Sequence, residues 1–163
     1  MRRVAVLFLI AAVFLTLGAS CRKRSNVFVI VLSDNIRTID PIGSPSVDAA
    51  SERIRALIFN SLVKKDDKFE YVGDLASDIK QSDDGTVFTF NLRDGVKFHD
   101  GRTFSSADAK YTLDLVLSSN FAKSASFFEG SGADKKSYIK SVEAPDANTL
   151  VITLNHPWTA LLS

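Results

Sequence analysis

A chain of 163 residues, 45% hydrophobic and 24% charged, has ordinary globular composition. Its formal net charge of +1 leaves no basic footprint of the kind nucleic-acid binding needs. A single cysteine excludes an internal disulfide.

The apolar content is uneven. Met1-Arg2-Arg3 precedes the uninterrupted apolar and small-residue run VAVLFLIAAVFLTLGAS, which ends at Cys21. A basic start, an apolar middle and small residues before a cut site describe a secretory signal peptide over residues 1–20. A membrane anchor is the alternative. The run Val4 to Leu17 is 14 residues, short of the roughly 20 that span a bilayer. Without the leader, 18 basic residues face 19 acidic ones, a net charge of −1. Leu17-Gly18-Ala19-Ser20-Cys21 resembles a bacterial lipobox, with Leu one place too early and Gly18 in the usual Leu position. That resemblance implies diacylation of Cys21 and a membrane anchor through lipid; ordinary cleavage at the same small residues is the alternative. Arg22, Lys23 and Arg24 then belong to a polar tether over 21–26.

Val27 to Leu32 (VFVIVL) has the length and β-branched content of a strand buried on both faces. It runs into the polar turn stretch Ser33 to Pro41. Ligands of α/β sheets gather beyond strand C-termini, so Ser33, Asp34 and Asn35 are the first candidate ligand-binding residues. They serve equally well as hydrogen-bonded turn residues. Ser46 can cap a helix over 47–60, with Ala50, Ile54, Leu57 and Ile58 on its apolar side. Leu62-Val63 and Phe69-Tyr71 flank a charged turn and read as a hairpin. Gly73 to Ala76 reads as a short helical turn. Ile79 to Ser82 and Val87 to Leu92 are strands joined across Asp83-Asp84-Gly85; alternation points Phe88, Phe90 and Leu92 at the core.

Leu92 to Leu117 carries the most information. Asp94-Gly95 and Asp100-Gly101 are both pairs suited to positive φ in tight turns. Val96 and Phe98 alternate with polar residues between them, as in a short strand. Ser105 and Asp108 have capping-box spacing, with Asp in place of Glu, ahead of the stripe Ala109, Leu113, Val116 and Leu117. Ser118 to Ser137 reads as a loop whose Phe121, Phe127 and Phe128 plug the core, or else wall a cleft mouth. Tyr138 to Glu143 and Thr149 to Leu154 form a final strand pair, and Trp158 to Ser163 begins a helical turn.

Leu92, Arg93, Gly95 to Gly101, Phe104, Ser105, Asp108, Thr112 and Leu113, in that order, resemble the family 5 extracellular solute-binding proteins, the dipeptide-, oligopeptide- and nickel-binding receptors of bacterial ABC importers. Thr103 and Ala109 stand where that family commonly has Pro and Val. Ile39-Asp40-Pro41 matches an "LDP"-like segment, and Ile139, Ser141 to Glu143, Asp146, Thr149, Leu150, Ile152, Leu154 and Pro157 a later one. The resemblance implies an α/β, periplasmic-binding-protein-like two-lobed receptor of the class II type. Residues 27–45 would supply the first strand and loop of lobe I, and 46–163 most of the adjacent smaller domain. The remaining lobe and hinge would lie beyond Ser163. It further implies an exported protein, at the periplasm or cell surface, that takes a peptide or other small solute and hands it to ABC permease subunits. A surface-anchored sensor or chaperone with the same fold, or a truncated reading frame, is the alternative.

No catalytic constellation accompanies this. His99 and His156 lack partners at metal-ligand spacing, so neither a metal site nor a cofactor is expected. Asp66-Asp67 and Asp83-Asp84 are adjacent turn residues, not spaced carboxylates. No serine lies in a G-x-S-x-G elbow, and the glycines build no phosphate loop.

Overall fold

The computed structural model describes residues 29–43, 48–130 and 132–162. The chain divides into Met1–Leu32 and Ser33–Ser163. In the first unit only residues 29–32 are described, and they form no strand; Val31 is 89% exposed. The expected buried strand over Val27 to Leu32 is therefore corrected for its described part. A strand buried on both faces needs neighbours for its ladder, and no ladder includes these residues. Val27 and Phe28, the leader and Cys21 lie outside the described residues.

The second unit is built around a four-stranded antiparallel sheet. Helix α1 spans Ala49–Ile58, followed by the hairpin β1 (Val63–Lys65) and β2 (Tyr71–Gly73). Strands β3 (Ala76–Gln81) and β4 (Val87–Leu92) come next, then helix α2 (Ser106–Ser118). A 3₁₀ turn over Ala122–Phe127 leads to the ribbon β5 (Phe128–Glu129) and β6 (Lys136–Ser137). Strands β7 (Ile139–Asp146) and β8 (Thr149–Leu154) complete the sheet, whose order is β3-β4-β8-β7. Every pairing in this sheet is antiparallel: β3–β4 and β7–β8 are hairpins, and β4–β8 is joined by the long connection that carries α2.

Alternation in β4 and β8 decides the core. Phe88, Phe90 and Leu92 point the same way as Leu150, Ile152 and Leu154, and all six are buried. Ile139 and Val142 of β7 extend that face, and Ala109 of α2 closes over it with Leu113 and Leu117 packed alongside. The capping-box expectation holds: the Asp108 carboxylate accepts from the Ser105 N–H at 2.9 Å. Arg102 Nη1 grips the same carboxylate at 2.6 Å and its guanidinium lies 4.2 Å over the Phe98 ring. Gly95 (φ +71°) and Gly101 (φ +87°) supply the left-handed turns that the Asp-Gly pairs foretold. Between them the expected short strand reduces to one bridge, Lys97 to Thr103. The start of α2 is tied to the β7–β8 turn, where Ser106 N donates to Ala147 O at 2.8 Å and Ser106 Oγ to Asp146 O.

Three further expectations change. Asp48, not Ser46, caps α1: its Oδ1 accepts from Ser51 N at 2.8 Å, and Ser46 lies outside the described residues. The buried side of α1 carries Ala50, Ser51 and Arg55, while Leu57 is 67% exposed, so the apolar stripe is rotated from its expected place. Gly73 to Ala76 is no helical turn. Asp74 N and Ala76 N both donate to Leu62 O, folding the chain sharply from β2 into β3. A Cβ on Gly73 would sit 2.1 Å from Ala76 O. Of the three loop phenylalanines, Phe127 packs on the core and meets Trp158 edge-on at 6.2 Å. Phe128 instead lies beneath Lys135 at 4.0 Å. At the outer strand β7, Lys110 Nζ donates to the Val142 carbonyl at 2.9 Å.

Candidate functional site

The segment 33–43 carries the candidate ligand residues, and α1 holds it. Its backbone has no strand ladder to satisfy it, so side chains must do that work. Ser51 Oγ accepts from Arg37 N at 3.1 Å and Thr38 N at 3.4 Å. Arg55 Nη2 donates to Thr38 O at 3.0 Å. Ser51 and Arg55 stand four apart, hence on one helix face, and both are buried, Arg55 to 3% exposure. A buried guanidinium needs a counter-charge, and Glu52 provides it at 2.6 Å. Lys123 reaches the same Glu52 oxygen at 3.3 Å, joining α1 to the 3₁₀ turn.

Beyond Thr38 the chain turns on its own side chains. Thr38 Oγ1 accepts from Asp40 N at 3.0 Å, and Asp40 Oδ1 takes the N–H groups of Ile42 and Gly43, each at 2.9 Å. The Gly43 and Ile42 amides hold the Asp40 carboxyl below its ordinary range, with Arg55 adding to them. The backbone N–H and hydroxyl of Ser51 do the same for Asp48.

Ser33, Asp34 and Asn35 are exposed and belong to this displayed stretch. No internal hydrogen bond among the described residues uses their side chains. Sequence reasoning missed Ser51 and Arg55. The signal was available: a Ser and an Arg one helical turn apart, beside a polar stretch that needed partners.

Elsewhere the charged groups serve the fold. The Arg102 hydrogen bond leads the causes that lower Asp108, and Asp108 in turn raises Arg102. Among the described residues no three His, Cys, Asp or Glu side chains converge on a metal-sized space. His156 meets Tyr138 edge-on at 5.4 Å, and His99 is exposed in its turn. A cavity of about 90 Å³ beneath Leu62, Val63, Leu113 and Phe127 has only apolar walls. It offers nothing to orient a polar solute.

The model of the bacterial extracellular solute-binding proteins, family 5, matches residues 70–163. The chain belongs to that family. Among its relatives, the glutathione-binding protein GsiB of Escherichia coli (strain K12) is 30% identical over 148 residues, 90% of this chain and 27% of that protein. A Brucella ovis protein, provisionally named an ABC transporter peptide-binding protein, is 43% identical over 105 residues, 64% of this chain and 18% of its own length. Among solved structures, the periplasmic binding protein AgaA of A. tumefaciens R10, in complex with agropinic acid, superposes with a TM-score of 0.66 at 28% identity. That match covers 78% of this chain and 24% of AgaA. The fold is therefore that of the periplasmic binding proteins, as the sequence implied. The chain spans about a quarter of the length of the E. coli relative. No helix among the described residues is long and apolar enough to cross a membrane.

Proposed function

We propose that this chain is part of the substrate-binding component of an ABC importer, which captures peptides or a related small solute outside the cytoplasmic membrane and delivers them to a permease. The observation that carries this reading is the family match over residues 70–163, a stretch that includes the two Asp-Gly turns and the capped helix at 92–117. The 43% identity to a protein named for peptide binding favours peptides, and glutathione, the ligand that names GsiB, is itself a short peptide. Residues 27–45 belong to lobe I and 46–163 to the smaller domain beside it. Ser33, Asp34 and Asn35 contact solute from a segment that Ser51 and Arg55 keep in place. Capture is a closure equilibrium: solute stabilises the closed pair of lobes, and the permease reads the closed form. Residues 1–20 export the chain, and acylated Cys21 tethers it to a membrane through 21–26.

A thermal-shift screen of the full gene product tests the solute class. A ligand bound only by the native state raises the midpoint by mass action, about 2.7 kcal/mol of stabilisation at a hundredfold excess over Kd. Peptides or glutathione should raise it, and a response to opines or nickel chelates alone would refute the peptide class. Labelling with radioactive palmitate tests the anchor; Cys21→Ser must abolish incorporation.

A further inference from the structure

Three Asp-Gly pairs turn this chain, Asp84-Gly85, Asp94-Gly95 and Asp100-Gly101, and each glycine has positive φ. Such a pair carries a latent reaction of its own. The glycine amide nitrogen can attack Cγ of the preceding aspartic acid, and no Cβ on the glycine shields that nitrogen. All three aspartates are exposed, so exposure does not rank them. Their hydrogen bonds do.

At Asp84 the carboxylate is occupied. It accepts from Ser82 Oγ at 2.6 Å, Thr86 N at 3.0 Å and Thr86 Oγ1 at 2.8 Å. Those bonds, that of Ser82 first, hold the carboxyl below its ordinary range and deplete the neutral acid, the form that can lose its hydroxyl. Gly85 N is committed to Ser82 O at 2.9 Å, and a Cβ on Gly85 would meet Gln81 Nε2 at 3.2 Å. At the third pair Gly101 N donates to Phe98 O at 2.9 Å, and Asp100 Oδ1 reaches past it to accept from Arg102 N at 2.9 Å. Asp94-Gly95 differs from both. Gly95 N donates no hydrogen bond among the described residues, and beyond its chain neighbours no heavy atom lies within 4 Å of where a Cβ would stand. The Asp94 carboxyl accepts from Asn148 Nδ2, a neutral donor that protonation of the acid leaves in place and that draws electron density from Cγ.

We propose that Asp94 is a site of spontaneous isomerisation, converting to isoaspartate through a cyclic succinimide. Gly95 N bonds to Asp94 Cγ; the Cγ–O bond breaks, and the hydroxyl leaves with the amide proton as water. Water then adds to the main-chain carbonyl carbon of Asp94 and the C–N bond to Gly95 breaks, so the chain runs through Cβ and Cγ at unchanged mass. The backbone gains a methylene beside the point where Leu92 N donates to Asn148 O at 2.7 Å, and the carboxylate moves away from Asn148.

The test holds the full gene product at about pH 6 for several weeks. Its peptides are then mapped by electron-transfer fragmentation, which tells isoaspartate from aspartate at equal mass. Isoaspartate at 94 should exceed that at 84 and at 100 at least fivefold. Its rate should fall as pH rises from about 5 to about 8, because the neutral acid is the reacting form. In concentrated urea the three positions should react at similar rates, since the fold alone ranks them. Isoaspartate at 84 or 100 matching that at 94 in the folded protein, none at 94, a rate that does not fall with pH, or the same preference in urea would overturn the inference.

Discussion

Single side chains decide how firmly this unit holds. Phe90 and Leu150 face each other across β4 and β8 and are almost wholly enclosed. Leu150→Ala should cost about 2–5 kcal/mol and Phe90→Ala about 3–5 kcal/mol, read from urea-denaturation midpoints. Asp108 acts through charge. Its folded-state carboxyl lies below the ordinary value of 3.8, first because Arg102 donates to it and then because Ser105 does. A depressed carboxylate stabilises the fold above its unfolded value and loses that contribution as pH falls through the folded one. Stability should thus be level near neutrality and decline below about pH 4. Asp108→Asn should cost about 1 kcal/mol at pH 7. The gap between variant and parent should narrow as pH falls below about 4, and a gap that does not narrow would assign Asp108's role to packing.

At the level of elements, the sheet and α2 were legible because their information is local. VFTFNL alternates, so Phe88, Phe90 and Leu92 announced their side; Ser105, Asp108 and the Asp-Gly pairs marked turns and a cap through their own chemistry. Helix α1 was misread in rotation. Its buried face is set by Thr38 and Lys123, distant in sequence, and a polar face buried by tertiary partners leaves no apolar period to read. Residues 29–32, the described part of the expected first strand, differ for another reason. An apolar run states that a segment wants burial, not that partners are at hand. The clamp on 33–43 makes its own prediction. Ser51→Ala removes the acceptor for two amides and should cost about 1–2 kcal/mol. Hydrogen exchange at Arg37 and Thr38 should accelerate at least tenfold, with β4 and β8 unaffected; equal acceleration throughout would mean the clamp is no separate unit.

For the whole molecule, solute capture depends on surfaces facing one another across a cleft. Ser33, Asp34 and Asn35 are exposed, and no hydrogen bond among the described residues uses their side chains. The 163-residue chain by itself should therefore bind glutathione or mixed tripeptides only weakly, and a submicromolar Kd from calorimetry would contradict that. The site was less readable than the scaffold for the same reason. A turn needs only its own residues, whereas a binding surface is defined by what approaches it.

The lysine at the rim of the sheet has a consequence for handling the protein. An outer strand offers bare carbonyls to any extended peptide, including the same strand of another molecule. Lys110, itself paired with Asp114 at 2.8 Å, occupies one of them on β7, so a side chain already sits where a second strand would pair. Acetylating that amine, or replacing it with leucine, should leave the monomer folded while inviting stacked, fibre-like assemblies that bind thioflavin T.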